Sequence, residues 1–170
     1  MLIHSKDYSE QLFKKGIKEM RKIYIGADSA GYGMKEELKG YLTEKGYTVV
    51  DCGPDSDASC HYPIYASAVC EKVQAEADTS FGILICGTGI GMSMCANKYN
   101  GVRAALCSDT FSARMTRIHN NANVLCMGAR VIGSCLAQDI LDAFLAADFE
   151  AGGRHELRVN MISEIEKKQK

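Results

Sequence analysis

Five short and almost continuously apolar runs recur from residue 22 onward, and they restrict the possible folds more than any other feature of the chain. They are KIYIGA (22–27), YTVVDC (47–52), FGILIC (81–86), VRAALC (102–107) and NVLCMG (123–128). Apolar runs of this length without strict polar alternation are typical of strands covered on both faces, as strands of parallel sheets are. The chain is therefore predicted to contain five buried parallel strands.

Longer amphipathic segments separate these runs and predict helices. The segment 33–46 places apolar residues on one face and ends at Gly46, which suits the left-handed C-terminal cap of a helix. Pro63 suits the first turn of the next predicted helix, 62–77. Further helices are predicted at about 89–98, 109–119 and 133–147, and a last one in the C-terminal segment.

The repeated alternation of strand and helix predicts an α/β fold. We expect a single-domain, three-layer α/β/α sandwich with a doubly wound, five-stranded parallel sheet, a Rossmann-like arrangement formed by residues 22–170. Residues 1–21 are an N-terminal extension, in which residues 8–20 could form a short amphipathic helix. The last helix carries an apolar stripe that suits packing on its own domain or on a partner subunit: Leu157, Met161, Ile162 and Ile165.

The composition excludes several classes of function. The 170-residue chain has a formal net charge of −1 and scattered basic residues, which argues against a nucleic-acid partner or an anionic membrane surface. No segment reaches the roughly 20 apolar residues that span a bilayer, and the N-terminus lacks an export signal, so a cytoplasmic protein is expected. The eight cysteines form no C-x-x-C pair and the four histidines show no ligand spacing with them, so reduced thiols and no metal are expected.

Four polar clusters are candidates for the functional site. In doubly wound sheets, ligands bind outside the carboxyl ends of the strands. The clusters expected to lie at those ends are GADSAG (26–31), CGTGIG (86–91), RIHNNAN (117–123) and GGRHELR (152–158). The sequence therefore predicts that these four clusters meet at one edge of the sheet.

The CGTGIG segment has the strongest chemical signal. Its glycines allow the backbone to approach a ligand closely and to direct N–H groups at negative charge, next to the positive end of the following helix. The motif is neither the G-x-G-x-x-G of dinucleotide sites nor a loop that ends in G-K-[ST]. Cys86 precedes this turn, in an environment that favours a thiolate. A core cysteine that merely ends a buried strand explains the residue equally well.

Other candidate residues also have a structural explanation. His119 is a candidate acid or base, although a lone histidine in a loop is more often solvated. Asp28 is a candidate site residue, or only a turn residue or N-cap. Arg154 and Arg158 would share one face of a helix and suit a phosphate group, or form a solvated basic face with nearby glutamates. Together with Cys86, these residues match the requirements of a sugar-phosphate site.

Five motifs occur together in the chain, and their combination is highly specific. They are GILICGTGIGMSMCANK, RIHNNAN, MGARVIG, GGRHELRV and HYPIYA. Through them the chain resembles the ribose-5-phosphate isomerase B and galactose-6-phosphate isomerase family, from about Lys22 to about Lys168. The resemblance implies aldose–ketose isomerisation of a sugar phosphate through an enediolate, with neither metal nor organic cofactor.

The resemblance also implies roles for residues of the matching motifs. Cys86 is the implied base that moves a proton between C1 and C2, and His119 is the implied general acid that opens the sugar ring. Asp28 would assist at the ring oxygens, and Asn120 would hold a hydroxyl group. The implied N–H donors to the developing oxyanion are Gly87, Thr88, Gly89, Ile90 and Gly91. Thr88 is also grouped among the implied catalytic residues.

The remaining implied contacts concern the phosphate and the rest of the substrate. Arg154 and Arg158 would grip the phosphate, and the implied additional substrate contacts are Arg130, His155, Tyr62 and Ser29. Members of the family are dimers or larger, with sites at a subunit interface. The resemblance thus implies a homodimer or a dimer of dimers with shared active sites, and a C-terminal helix that packs on the partner.

One position departs from the family pattern. Ribose-5-phosphate isomerases of this type usually have D-H-A-G after the first strand, whereas this chain has Ser29 in place of the histidine. The expected reaction is the interconversion of ribose 5-phosphate and ribulose 5-phosphate. The smaller serine leaves open an isomerase of galactose 6-phosphate or allose 6-phosphate, and a non-catalytic sugar-phosphate-binding protein is a further alternative.

Overall fold

A five-stranded, entirely parallel sheet forms the centre of the molecule, as predicted. The computed structural model describes residues 21–77 and 79–168. The strand order is β2-β1-β3-β5-β4. The strands are β1 (Lys22–Ala27), β2 (Thr48–Asp51), β3 (Ser80–Cys86), β4 (Ala104–Leu106) and β5 (Val124–Gly128).

Six helices flank this sheet in the described part of the chain. They are α1 (Tyr32–Glu44), α2 (Tyr62–Ala75), α3 (Ile90–Ala96), α4 (Thr110–Asn120), α5 (Ser134–Ala146) and α6 (Arg154–Lys168). Gly46 adopts a φ of 86° just after α1, and Pro63 lies in the first turn of α2, both as predicted. The helix suggested for residues 8–20 lies outside the described residues. None of the helices described combines the length and apolarity that crossing a membrane requires.

The sheet separates two apolar layers, which confirms the three-layer sandwich. Successive residues of a strand point to opposite faces, so Ile83 and Ile85 pack on one side of β3 while Leu84 and Cys86 pack on the other. The first layer is completed by α1, α4 and α5, and the second by α2 and α3. All seven residues of β3 are buried because this strand is central and covered on both faces.

The topology opens a crevice at the carboxyl edge of β1 and β3. These strands are neighbours in the sheet, with Ile25 opposite Ile83. The chain leaves β1 toward α1 on one face and leaves β3 toward α3 on the other face. The two following loops diverge, and such a switch point is where doubly wound sheets bind ligands.

A buried lysine stabilises the segment that follows β2. Lys35 of α1 is fully buried, and its Nζ donates to Asp51 Oδ2 at 2.7 Å and to the carbonyl oxygen of Pro54 at 2.9 Å. Burial alone would raise the pKa of Asp51, but hydrogen bonds from Lys35, Lys39 and the Gly53 amide lower it below its usual value. The stabilisation from ionised Asp51 is therefore fully present above the pKa that this carboxyl has in the unfolded chain, about 3.9. It is lost as the pH falls through the lower pKa of Asp51 in the folded protein.

Replacing this lysine should destabilise the fold. We expect Lys35→Met to lower the free energy of unfolding by about 2 to 4 kcal/mol, because Asp51 loses its buried partner. Urea unfolding at neutral pH measures the effect. The matched control is Lys39→Met on the same helix, since Lys39 also contacts Asp51 but is partly exposed, and it should cost less than about 1 kcal/mol. Equal losses in the two variants would contradict the assignment.

Candidate active site

Cys86 lies at the end of β3, where the crevice opens. The residue is 5% exposed, and its Sγ accepts a hydrogen bond from the N–H of Gly89 at 3.0 Å. Gly89 adopts a left-handed φ of 77° immediately before α3, a conformation that suits glycine. The turn thus folds back so that the Gly89 amide donates to the sulfur immediately before α3 begins.

Other buried cysteines differ from Cys86 in their surroundings. Burial raises the pKa of Cys70 to about 12 and that of Cys107 to about 11. Complete burial raises the pKa of Cys126 well above its usual value. These three thiols stay neutral and serve as small core residues.

Two backbone amides of the CGTGIG turn are engaged within the turn itself. The Gly89 N–H donates to the Cys86 sulfur, and the Ile90 N–H donates to Thr88 Oγ1 at 3.3 Å. The sequence predicted all five amides of residues 87–91 as donors to an oxyanion. In this structure the left-handed turn directs the Gly89 amide at the sulfur, and the role of the five amides as oxyanion donors stays a prediction.

Gly128 at the end of β5 permits the close packing of this turn. A Cβ at this position would lie 2.7 Å from the backbone carbon and oxygen of Thr88. We therefore expect Gly128→Ala to displace the turn, lower the free energy of unfolding by about 1 to 3 kcal/mol and reduce kcat. Chemical denaturation and steady-state kinetics measure both effects. Gly40→Ala, where a Cβ meets nothing within 4 Å, should leave kcat unchanged, and an unaltered Gly128→Ala enzyme would refute the packing argument.

Asp28 and Ser29 form the wall of the crevice beyond β1. The Asp28 N–H donates to the Ile85 carbonyl oxygen at 3.1 Å, and its Oδ1 accepts from the amides of Ala30 and Gly31 at 2.9 and 3.0 Å. Asp28 is therefore a turn residue, as one reading of the sequence proposed, while the N-cap of α1 is Gly31. Ser29 lies half-buried in the same turn.

Tyr62 and Arg130 approach the glycine turn from two other elements. The Tyr62 ring, at the start of α2, lies 2.9 Å from where a Cβ of Gly91 would be. The Arg130 N–H donates to the Gly87 carbonyl oxygen at 3.0 Å, and its side chain passes beside Gly87. The carboxyl edge thus brings together the predicted residues Asp28, Ser29, Tyr62, Arg130 and the turn at 86–91.

A second cluster forms where the end of α4 meets the start of α6. The rings of His119 and His155 stack with centroids 4.2 Å apart and planes 8° from parallel. His155 Nε2 lies 3.7 Å from Glu150 Oε2 and 3.5 Å from Arg154 Nε. Burial, followed by the nearby His119 and Arg154, lowers the pKa of His155, so this imidazole is neutral at neutral pH.

This second cluster does not lie at the predicted edge of the sheet. The sequence placed segments 117–123 and 152–158 beside the carboxyl ends of the strands, and that expectation was wrong. Residues 117–123 precede β5, and the Asn123 carbonyl oxygen accepts from the Gly82 N–H near the start of β3. The 11-residue helix α4 crosses the sheet and separates the two edges by about 16 Å. Within one chain, His119 and Asn120 are therefore remote from Cys86.

The arginines predicted to hold phosphate belong to this second edge. Arg154 and Arg158 lie on the first turns of α6 and are both exposed. The Glu150 N–H donates to the Ile118 carbonyl oxygen at 3.0 Å and ties the segment before α6 to the end of α4. The second cluster at the amino edge thus groups two histidines, the Asn120 amide and two arginines.

The stacked histidines and Glu150 also bear on metal binding. The possible ligand atoms of His119, Glu150 and His155 lie within 4.8 Å of one another. Zinc binds nitrogen and oxygen ligands at about 2.1 Å, so ligand atoms grouped this closely could hold a metal ion. The spacing of the three residues along the sequence gives no ligand signature.

Comparison with known proteins identifies the family. A family model described as Ribose/Galactose Isomerase matches residues 23–162. Ribose-5-phosphate isomerase B of Escherichia coli strain K12 is 47% identical over 149 residues, which cover 88% of this chain and 99% of that protein. D-erythrulose-4-phosphate isomerase of Pectobacterium atrosepticum is 48% identical over 136 residues, or 79% of this chain and 88% of that protein.

A solved structure supports the same assignment. The crystal structure of ribose-5-phosphate isomerase B from Mycoplasma genitalium with bound ribulose-5-phosphate is 44% identical in sequence and has a TM-score of 0.83. The matched residues cover 86% of this chain and 96% of the Mycoplasma genitalium chain. On the strength of the matched residues, the shared fold and the intact cysteine–glycine turn, this chain belongs to the ribose/galactose isomerase family.

Proposed function

We propose that the protein is a cofactor-independent aldose–ketose isomerase that interconverts ribose 5-phosphate and ribulose 5-phosphate through an enediolate. The observation that carries this proposal is the Cys86 sulfur, held by the Gly89 amide at 3.0 Å at the mouth of the crevice. Relatives named for this activity are 44–47% identical to the chain. The eight cysteines are free thiols, which supports a reducing, cytoplasmic location.

The Cys86 thiolate removes the proton from C2 of the open-chain aldose, a proton passes from the C2 hydroxyl to the C1 oxygen in the enediolate, and the Cys86 thiol then returns its proton to C1. The Gly89 amide lowers the free energy of the thiolate before the transfer. The amides of Gly87, Thr88 and Gly91 face the oxygen on which negative charge develops, where preorganised donors are most effective. Asp28, fixed by two backbone amides, orients the hydroxyl groups of the sugar beside the sulfur.

The site requires a second copy of the chain. His119 opens the sugar ring and Arg154 and Arg158 bind the phosphate, but these residues lie at the opposite edge of the sheet from Cys86. A two-fold axis that places the amino edge of one chain against the carboxyl edge of its partner completes two equivalent sites. This arrangement serves equally in a homodimer and in a dimer of dimers.

The exposed apolar face of α6 supports this assembly. Leu157 is 63% exposed and Met161 is 59% exposed, and Ile162 and Ile165 extend the same stripe. Contiguous apolar side chains at a protein surface mark interaction sites. Packing α6 on the partner covers this stripe and brings Arg154 and Arg158 to the partner's crevice.

A panel of sugar phosphates tests the substrate assignment. Isomerisation without added cofactor should be fastest with ribose 5-phosphate, and turnover in deuterated water should place deuterium on the carbon next to the carbonyl. Ser29→His should then change kcat/KM for ribose 5-phosphate less than for hexose phosphates, because the imidazole fills space that only a longer sugar needs. Absence of turnover with every sugar phosphate would leave a binding protein instead.

Ser29 supports a second candidate substrate. The Pectobacterium relative is named for a four-carbon sugar phosphate although it is 48% identical, so identity at this level does not determine substrate length. A serine beside Asp28 leaves room at the phosphate end for galactose 6-phosphate or allose 6-phosphate. This alternative would be established if kcat/KM for either hexose phosphate exceeds that for ribose 5-phosphate and Ser29→His abolishes the preference.

A further inference from the structure

A polar cavity of about 250 Å³ lies at the amino edge of the sheet, beyond the start of β3. Three arginines from separate parts of the chain line it: Arg21, Arg103 and Arg117. Ser80, Asn121 and Asn123 contribute further polar groups. In the described ranges 21–77 and 79–168, Asp148 is the carboxylate that lines this cavity. Three cations therefore face one anion.

Arg117 is a buried charge with unused hydrogen-bonding capacity. Its residue is 4% exposed, and its Nη1 donates to Asn121 Oδ1 at 3.0 Å and to the Ala122 carbonyl oxygen at 2.5 Å. Its Nε is buried and has no hydrogen-bond partner among the described residues, and the same is true of the Nε of Arg21. A buried donor without a partner is destabilising, and more so when it is charged.

The arginines are close enough to affect one another. The guanidinium carbons of Arg21 and Arg117 lie 4.9 and 4.6 Å from the centre of the Phe81 ring. Burial, followed by the charge of Arg21, lowers the pKa of Arg117 to about 10, and Arg103 acts in the same direction while Asp148 opposes it. The positive charge in this cavity is therefore incompletely neutralised by the described residues.

We propose that this cavity is an anion site that binds a phosphate group, separate from the catalytic site. The planar, forked donors of arginine match the oxygens of a phosphate, and the volume accommodates a phosphate with a small organic substituent. Arg117 and His119 are two residues apart on α4, so their side chains point about 200° apart around the helix. The cavity and the stacked histidines thus face different directions.

An occupied site would stabilise the end of the helix that carries His119. The anion would link Arg117 at the end of α4 to Arg21 before β1 and to the start of β3. Two sources supply the same chemistry, inorganic phosphate and a small phosphorylated metabolite. Titrations with inorganic phosphate and with ribose 5-phosphate, at constant ionic strength, distinguish them.

Isothermal titration calorimetry of the full chain with inorganic phosphate tests the proposal. The wild type should show two classes of phosphate sites per chain, and Arg21→Ala should weaken one of them about tenfold or more, since it removes one charged donor. Arg114→Ala is the matched control, because Arg114 is an exposed arginine one turn earlier on α4; it should leave both classes intact. Arg21→Ala is preferred to Arg117 variants, which remove contacts within the fold.

Arg158→Ala separates this site from the catalytic one. That variant should lose the other class of phosphate sites and retain the class that depends on Arg21. Two results would overturn the proposal. The wild type could show a single class of phosphate sites that disappears in Arg158→Ala, or the phosphate isotherm could be unchanged in Arg21→Ala. If Arg21→Ala loses a class of phosphate sites and Arg158→Ala loses none, the new site would be upheld. The proposed binding of the substrate phosphate by Arg158 would then be refuted.

Discussion

Replacing Cys86 by serine is expected to lower kcat for sugar-phosphate isomerisation by about a thousandfold, because a serine hydroxyl cannot act as the base at neutral pH. Serine keeps an acceptor for the Gly89 amide, whose hydrogen bond to the sulfur is 3.0 Å long. The geometry of the turn and the KM should therefore change little. Steady-state kinetics and solvent deuterium incorporation measure the effect, and both should fall together.

Two comparisons separate loss of the base from loss of structure. Cys135→Ser is the matched control, since Cys135 is an exposed cysteine, and it should retain full activity. Cys86→Ala removes the acceptor as well as the base, so it should also lower the free energy of unfolding by about 1 to 3 kcal/mol. Wild-type turnover by Cys86→Ser would show that another group carries the proton.

Co-expression of two inactive variants, Cys86→Ser and His119→Ala, should restore about a quarter of the wild-type activity. The physical reason is that, in the proposed dimer, each complete site takes its thiol from one chain and its imidazole from the partner. With random pairing, half of the dimers are mixed, and each mixed dimer has one of its two sites intact. The unfractionated mixture should show this quarter, and mixed dimers isolated through two different affinity tags should show about half of the wild-type activity.

The control for this experiment uses a chain that carries both substitutions. A mixed dimer of that chain with Cys86→Ser lacks a usable thiol in both sites and should stay inactive. Mixed dimers of the two single variants that also stay inactive would contradict the shared site. They would leave unexplained how His119 reaches a substrate at Cys86, since α4 separates the two residues.

Most of the secondary structure could be predicted from local patterns. β1 has the predicted limits, and the other strands differ from the predicted limits by one or two residues at one end or at both. Apolar runs and cap residues such as Gly46 act over a few positions, so they are readable without tertiary information. The same is true of the Cys86 turn, because its glycines, its cysteine and its helix start are contiguous in the chain.

Contacts between distant segments were beyond such patterns. Nothing local to Lys35 shows that it is buried against Asp51, and nothing near Arg117 shows that Arg21 lies across the same phenylalanine ring. The position of His119 was predicted at the wrong edge because a motif reveals which residues occur together, not the direction in which its helix crosses the sheet.

The amino-acid sequence by itself thus determined the layered α/β fold, the local structure of the Cys86 turn and the set of residues proposed to act on a sugar phosphate. Only the tertiary structure decided that these residues divide between opposite edges of the sheet. The reason is physical: each crossover helix starts at the carboxyl edge and ends at the amino edge, so side chains at its two ends are separated by its full length.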